Sequence, residues 1–372
     1  MKKLLFISAS NFGDLNSGSG KVSFRNYELL KNFFEVDLIY LSRDLKKIDN
    51  LIILPSTKNK VHSIISNFFL YSSYLCFETE KKILKIIIQN KYEVIFLDTS
   101  NYGRLAEKIK KLNPIIKIFS FFHNIECDYI KAIIKSEKSI LKYLNYIKLF
   151  SSKYNERLAV KYSDYLITLN SRDTKRLYEV YGGKSNLELP ITFEDRYLKD
   201  IKSTLKEKEY ILFVGSLFFA NHHGIKWFIK NVMSNIDKKL LIVGKDFETK
   251  KSELERENVE VIGTVDDLTP YYLNASCMVM PIFEGAGMKV KTAEALMYGK
   301  TIYGTTEAFE GYEVDYNKVG GLCNTREEFI EKLNNDKNII FNEYSREVFL
   351  EKYSFESSVE RMKDFLEKEN LI

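Results

Sequence analysis

Residues 281–299 read PIFEGAGMKVKTAEALMYG, and the succession of strand end, glycine-bracketed turn and helix in this stretch makes the chain an α/β protein. Met278, Val279 and Met280 lead into Pro281, which cannot donate to a sheet ladder, so a strand ends there. Val290, Ala293, Leu296 and Met297 then recur at helical spacing, and Gly299 stands where a left-handed C-terminal residue is wanted. Lys291 and Glu294, one turn apart, share the neighbouring face. Gly285 and Gly287 strip side chains from the turn, so backbone N–H groups and the positive end of the helix dipole are open to an anion. Lys291 adds a point charge for phosphate oxygens, and Glu294 adds an acceptor-only carboxylate suited to the vicinal hydroxyls of a ribose. Together they describe a seat for a nucleoside diphosphate; standing alone, the same residues also describe an ordinary βα turn with a charged helix face.

On both sides of this stretch, residues 210–215, 239–244, 259–262, 277–281 and 301–304 are apolar runs separated by helical segments, the rhythm of a doubly wound unit. The first half repeats it with strands expected over 3–9, 36–41, 93–97, 115–122, 164–170 and 186–190, and helices over 23–32 and 173–181. Residues 195–209 are rich in Lys, Glu and Asp without a core period. A chain of 372 residues is long for one domain. The expected organisation is a first domain over 1–195, a linker over 196–209, a second domain over 210–353 and a terminal helix over 354–372.

Residues 13–21, GDLNSGSGK, invite a phosphate-loop reading that their spacing defeats, because Leu15 and Val22 stand where GxxxxGK[ST] needs Gly and Ser or Thr. What remains is a flexible loop at the C-terminal end of the first strand, the edge at which α/β sheets bind ligands. Two later strands end in polar groups, Asp98 and His123. His222 and His223 fall in the turn after the first strand of the second domain.

Cys76, Cys127, Cys277 and Cys323 lie far apart, with no CxxC and no histidine at ligand spacing, which supports neither a disulfide framework nor a zinc site. Met1-Lys2-Lys3 before a short apolar run reads as a first strand and not as an export signal. The uncharged stretch 61–77 contains four serines and an asparagine and falls short of the roughly 20 apolar residues needed to span a bilayer. The formal net charge is +5, yet residues 131–161 carry eight Lys or Arg against Glu137 and Glu156, a local +6. Leu141, Tyr143, Leu144, Tyr146, Ile147 and Phe150 interleave with these charges, so the segment reads either as a solvated helix face or as a basic helix on anionic lipid. No nucleic-acid module accompanies it.

The glycine-bracketed stretch resembles the donor-binding signature of retaining GT-B glycosyltransferases of family 4, in the version G-x-G-x-x-x-K-x-x-E-A-x-x-x-G, here Gly285, Gly287, Lys291, Glu294, Ala295 and Gly299. Residues 213–216 with Asn221, Gly224, Trp227 and Phe228 resemble the opening of that family's C-terminal domain, residues 241–244 its second strand, and Glu310-Gly311 the loop that closes over the donor. The resemblance implies an α/β GT-B fold, two doubly wound Rossmann-like domains facing a central cleft, with the terminal helix returning to the first domain. It implies a nucleotide sugar donor, UDP-sugar favoured, held by Gly215, Ser216, Asn221, Gly285, Ala286, Gly287, Met288, Lys289, Lys291, Glu294 and Gly311. His123 is the residue that fits the family's sugar-contacting histidine, with Lys291 and Glu294 completing the catalytic set. Gly18, Ser19, Gly20, Lys21 and Asp98 belong to the acceptor side. The absence of a D-x-D triplet predicts no metal and no cofactor.

Two departures stand out. The carboxylate that many members carry eight residues before Glu294 is here Ala286, with Glu284 ten before, and the usual Gly-Arg pair is Gly215-Ser216. The expected protein is a cytoplasmic transferase, peripheral to the inner face of the cell membrane, that passes a sugar to a glycan or lipid-linked acceptor in surface polysaccharide synthesis. The rivals are a UDP-sugar epimerase and a catalytically silent GT-B subunit that activates a partner.

Overall fold

A computed structural model describes residues 1–8, 18–43, 52–136, 142–197, 210–285 and 288–372. The chain divides into two compact units, Met1–Thr192 with Ser358–Ile372, and Phe193–Ser357.

In the first unit β1 (Lys3–Ser8), β2 (Glu35–Ser42), β3 (Ile52–Pro55), β4 (Val94–Leu97), β5 (Lys117–Phe122), β6 (Tyr165–Thr168) and β7 (Leu187–Glu188) form a seven-stranded sheet in the order 3-2-1-4-5-6-7. All pairings are parallel. Leu4, Leu5, Phe6 and Ile7 are wholly buried, as a parallel strand covered on both faces requires. Phe6 stacks on Phe96 at 5.0 Å, and Phe96 on Phe119 at 6.1 Å. The connections carry α1 (Gly18–Leu30), α2 (Lys60–Phe68), α3 (Phe77–Gln89), α4 (Gly103–Leu112), α5 (Glu126–Ser136), α6 (Lys142–Tyr162) and α7 (Ser171–Tyr181). The terminal helix Phe355–Lys368 brings Phe365 edge-on to Phe119 and Tyr165, and Lys2 Nζ donates to Leu371 O at 2.9 Å.

In the second unit β8 (Tyr210–Val214), β9 (Lys239–Val243), β10 (Val259–Gly263), β11 (Cys277–Met280), β12 (Thr301–Gly304) and β13 (Gly320–Leu322) form a six-stranded parallel sheet in the order 10-9-8-11-12-13. Its helices include α8 (Phe219–Asn231), α9 (Lys251–Leu254), α10 (Thr269–Asn274) and α11 (Val290–Met297). Strand order reverses at β1 in one sheet and at β8 in the other, and the C-terminal edge beside such a reversal is where open α/β sheets hold ligands.

Several expectations change. Gly18, Ser19, Gly20 and Lys21 are not a loop; they form the first turn of α1, where glycine costs little because first-turn N–H groups have no intrahelical acceptor. His222 and His223 lie on α8 and not in a turn. The basic segment is two helices, α5 and α6, with residues 137–141 outside the described residues. β3 and β13 are short strands absent from the sequence reading. Residues 198–209 of the expected linker are likewise outside the described residues, while Tyr197 packs into the second core. All four cysteines are free and buried. His62, Cys76 and Glu78 bring metal-ligand atoms within 4.8 Å of one another, a grouping that sequence spacing hid, although His62 Nδ1 already accepts the Lys58 N–H at 3.1 Å. Among the described residues, no helix is long and apolar enough to cross a membrane.

Candidate functional site

β8 and β11 are neighbours, registered through Ile211↔Cys277 and Leu212↔Met278, so the turns that leave them meet at the strand-order reversal of the second sheet. Gly215 follows β8, Asn221 sits in the first turn of α8, and Lys291 in the first turn of α11. The three close on one point. Lys291 Nζ donates to Asn221 Oδ1 at 2.6 Å and lies 4.9 Å from the centre of the Phe213 ring. Asn221 Nδ2 donates to Ser216 O at 2.9 Å, which fixes the amide so that its oxygen faces the lysine. A Cβ on Gly215 would stand 2.8 Å from Asn221 Nδ2 and 2.9 Å from Lys291 Nζ, so the amide and the lysine can close on this point only because residue 215 has no side chain.

Neither partner of Lys291 is charged. Burial pushes its ammonium down to about 7, Lys289 adds to the fall, and Glu294 opposes it. Among the described residues its direct partners are an uncharged amide oxygen and an aromatic face, with the Glu294 carboxylate acting from a distance, and a phosphate would add the negative charge that the contacts lack. Glu294 is held from another direction: the Tyr272 hydroxyl donates to its Oε2 at 3.0 Å. Tyr272 is buried and stacks on Tyr298 at 4.9 Å. Burial, then the adjacent Glu294, hold its phenol well above the usual value, so it stays a hydrogen donor.

The remaining donor-side residues fall into different surroundings. Lys289 Nζ pairs with Glu307 Oε1 at 2.6 Å and lies 3.7 Å from Glu310 Oε2, so its charge is already matched by carboxylates and is less suited to phosphate than that of Lys291. Gly285 borders this pair, since an added Cβ would come 3.1 Å from Glu307 Oε1. Met288 packs against the second core, and Gly311 follows Glu310 in the next turn. Ala286 and Gly287 lie outside the described residues. Glu284 Oε1 is 3.6 Å from His223 Nδ1, both largely exposed, and His222 Nε2 is 3.3 Å from Glu253 Oε2. Gly299 ends α11 at φ 58°, the left-handed position its sequence place predicts.

In the first unit, Asp98 and His123 meet at the ends of β4 and β5. Asp98 Oδ2 accepts from Ser8 Oγ at 2.7 Å, and His123 Nε2 lies 3.0 Å from Asp98 O and 3.3 Å from its Oδ1. Both partners of Nε2 are acceptors, so Nε2 carries the hydrogen. Burial lowers the imidazole pKa, but the Asp98 carboxylate, by charge and by hydrogen bond, outweighs it and raises the net value. Asp98 thus orients His123, and its own carboxylate is spent inside the protein. Gly18–Lys21 sit in the first turn of α1, with Ser19 exposed and Gly20 buried.

Tyr272 and Glu307 escape the sequence reading, and Phe213 enters it only as part of a strand, with no role at the site; Tyr272 and Glu307 act on partners 22 and 18 residues away, a separation that carries no local pattern.

Residues 208–335 match the family model described as Glycosyl transferases group 1. An uncharacterized 44.6 kDa protein in the cps region of Klebsiella pneumoniae is 24% identical over 280 residues, 70% of each chain. Among solved structures, sucrose-phosphate synthase from Thermosynechococcus elongatus superposes with a TM-score of 0.68 at 14% identity, over 100% of this chain and 99% of that one. Anabaena HepE in complex with UDP gives a TM-score of 0.67 at 10% identity, over 99% and 100%. The lipopolysaccharide outer core galactosyltransferase WaaB in its apo form gives 0.65 at 13%, over 99% of each chain. At such identities the likeness is one of fold, and two parallel-sheet Rossmann-like units of this kind make the GT-B fold.

Proposed function

Starting from a GT-B chain whose second unit carries a group 1 glycosyltransferase domain, we propose that the protein moves a sugar from a nucleoside diphosphate sugar, a UDP-sugar by preference, to a glycan or lipid-linked acceptor of surface polysaccharide synthesis. Transfer proceeds with retention and without a metal, and the protein works in the cytoplasm at the inner face of the membrane. The observation that carries this reading is the setting of Lys291: a desolvated amine with uncharged partners, packed against the bare backbone of Gly215. Glu294, one turn further along α11, takes the ribose hydroxyls. Lys291 and the backbone before α11 bear on the charge that grows on the leaving diphosphate, a contribution of about 3 kcal/mol for one well-placed donor. His123, fixed through Nε2 by Asp98, serves the sugar-transfer step, and the first turn of α1, Gly18–Lys21, stays on the acceptor side. Support comes from relatives: Anabaena HepE is seen with UDP and with UDP-glucose, and the Klebsiella relative belongs to a cps region.

Calorimetric titration with UDP, GDP, dTDP and CMP, first without and then with magnesium, tests it. Saturable binding of UDP without metal is expected. Binding of none of the four would defeat the donor assignment and favour a silent subunit.

A further inference from the structure

Glu156 of α6 is wholly buried, and its carboxylate accepts four hydrogen bonds. Oε1 takes the Glu126 N–H at 2.9 Å and the Ser100 hydroxyl at 3.3 Å; Oε2 takes the Tyr181 hydroxyl at 2.6 Å and the Cys127 N–H at 3.2 Å. None of these donors carries a charge. Burial drives the carboxyl pKa up to about 7; the Tyr181 hydroxyl and the Glu126 N–H pull the other way, and the nearby Glu126 carboxylate adds to the rise. A carboxylate buried without a cation is costly, and what this one holds is the start of α5. The first N–H groups of a helix lack intrahelical acceptors and are commonly met by Ser, Thr, Asp or Asn just before the helix. Here that residue is Ile125, whose side chain has no acceptor, so the cap comes from α6, 30 residues further along.

The same carboxylate reaches the neighbouring loop. Ser100 lies two residues after Asp98, and Glu126 three after His123. α6 reinforces the first attachment: Ser152 Oγ donates to Asn101 Oδ1 at 2.7 Å, and Asn155 Oδ1 accepts the Arg104 N–H at 3.1 Å. Gly103 permits this closeness, since a Cβ there would stand 1.8 Å from Asn155 O. The ladder between β4 and β5 ends at Leu97↔Ser120, before either polar residue. Strand pairing alone therefore does not fix His123 Nε2 at 3.0 Å from Asp98 O and 3.3 Å from its Oδ1. We propose that Glu156 is a positioning residue for His123, joining the segment after Asp98 to the head of α5 so that the imidazole meets Asp98 in one geometry. A carboxylate suits this task because two backbone N–H groups converge on its two oxygens, whereas an amide of the same shape must turn its NH2 toward one of them. The consequence for turnover rests on the sugar-transfer role given to His123 above; the effect on the imidazole does not. Asp98 and Glu126 both raise the His123 pKa, and Lys148 acts in turn on Glu126. Glu156→Gln takes a negative charge away from Glu126, which by itself leaves Glu126 more ionised and His123 higher, whereas lost positioning lowers His123. The sign of the change separates the two.

Long-range proton–nitrogen correlation spectra of the full chain report its four histidines, His123 being the set of signals lost in His123→Gln. Each variant is titrated from about pH 5 to about pH 9. In Glu156→Gln the His123 pKa should fall by roughly half a unit or more as the contact with Asp98 loosens. Ser100→Ala, which cuts only the link to the Asp98 segment, should shift it the same way by less. Tyr181→Phe takes one donor from the same carboxylate and leaves Ser100 and both backbone N–H bonds; it should lower the thermal midpoint and leave His123 unshifted. Release of UDP from UDP-glucose should drop roughly ten- to hundredfold in Glu156→Gln, with UDP affinity unchanged. An unshifted or raised His123 in Glu156→Gln overturns the proposal. So does a shift of equal size in Tyr181→Phe, which is what general loosening of the fold produces. Should Glu156→Gln fail to fold, Ser100→Ala decides alone, and an unshifted His123 there is equally fatal. A chain that shows the expected shifts but releases no UDP would count against the transfer reading and leave the positioning role standing.

Discussion

Binding of a nucleoside diphosphate should draw a proton from solution above neutral pH. The free protein holds Lys291 at about 7, so at about pH 8 roughly nine-tenths of the molecules carry a neutral amine. A diphosphate beside Nζ favours the charged form and lifts that value. The bound state therefore holds more protons than the free state, and roughly 0.9 proton is taken up per nucleotide at about pH 8. Affinity is greatest near neutrality and declines as pH rises, by up to tenfold, about 1.4 kcal/mol, per pH unit above about 7. Below about pH 6 the nucleotide's own phosphate protonates, and affinity falls on that side as well. Titration calorimetry at one pH in HEPES and in Tris, whose ionisation enthalpies differ, counts the protons from the slope of apparent enthalpy. Lys291→Arg, which keeps its charge at every working pH, should bind without uptake, and Lys291→Ala should weaken binding at all pH values. Nucleotide binding by the unmodified protein with no proton uptake would refute the account of Lys291 as a desolvated cation awaiting a phosphate.

Glu294→Gln should weaken UDP far more than inorganic pyrophosphate, because only the nucleotide has ribose hydroxyls; equal losses in a competition titration would remove Glu294 from the ribose. His123→Ala should lower turnover much more than UDP affinity, and Asp98→Asn should do so more mildly by loosening the ring; unaltered turnover in His123→Ala ends its catalytic assignment. Lys300 is buried and donates to the carbonyls of Leu273, Ala275 and Ile340 at 3.1, 3.0 and 2.7 Å. Burial lowers its pKa to about 7, so the unfolded chain binds the extra proton and stability rises with pH from about 7 toward about 10. Lys300→Met should cost about 2–4 kcal/mol by orphaning the carbonyls and should flatten that rise in urea titrations; a parallel slope would contradict a depressed Lys300.

The strands that build the two sheets could be read because a parallel strand buried on both faces is an uninterrupted apolar run, as in KLLFIS of β1 and CMVM of β11. β13 could not, since GGL offers almost no side chains and its pairing with β12 is a property of the fold. The start of α1 was placed late because Gly18 and Gly20 read as loop, a local propensity that tertiary packing overrides. At the site, Lys291 and Glu294 are legible through their spacing, and Gly215 and Asn221 only through the family resemblance. What they touch was not: the Phe213 face under Lys291 and the Tyr272 hydroxyl on Glu294 arise from helix placement over a sheet. The resemblance puts Lys289 among the donor-holding residues, and only the fold reveals Glu307 beside it.

The first unit is assembled from two pieces of chain, Met1–Thr192 and Ser358–Ile372, with the whole of Phe193–Ser357 between them. Phe365 closes over Phe119 of β5 and Tyr165 of β6. On the ribosome, the earlier piece therefore emerges with part of its core uncovered. It waits for about 165 further residues, roughly 10–30 s at ordinary elongation rates, before the helix that completes it is made. The second unit meanwhile emerges as one uninterrupted segment and finishes first. Nascent chains stalled before residue 358 should thus pair a protease-resistant second unit with a first unit still open to cleavage.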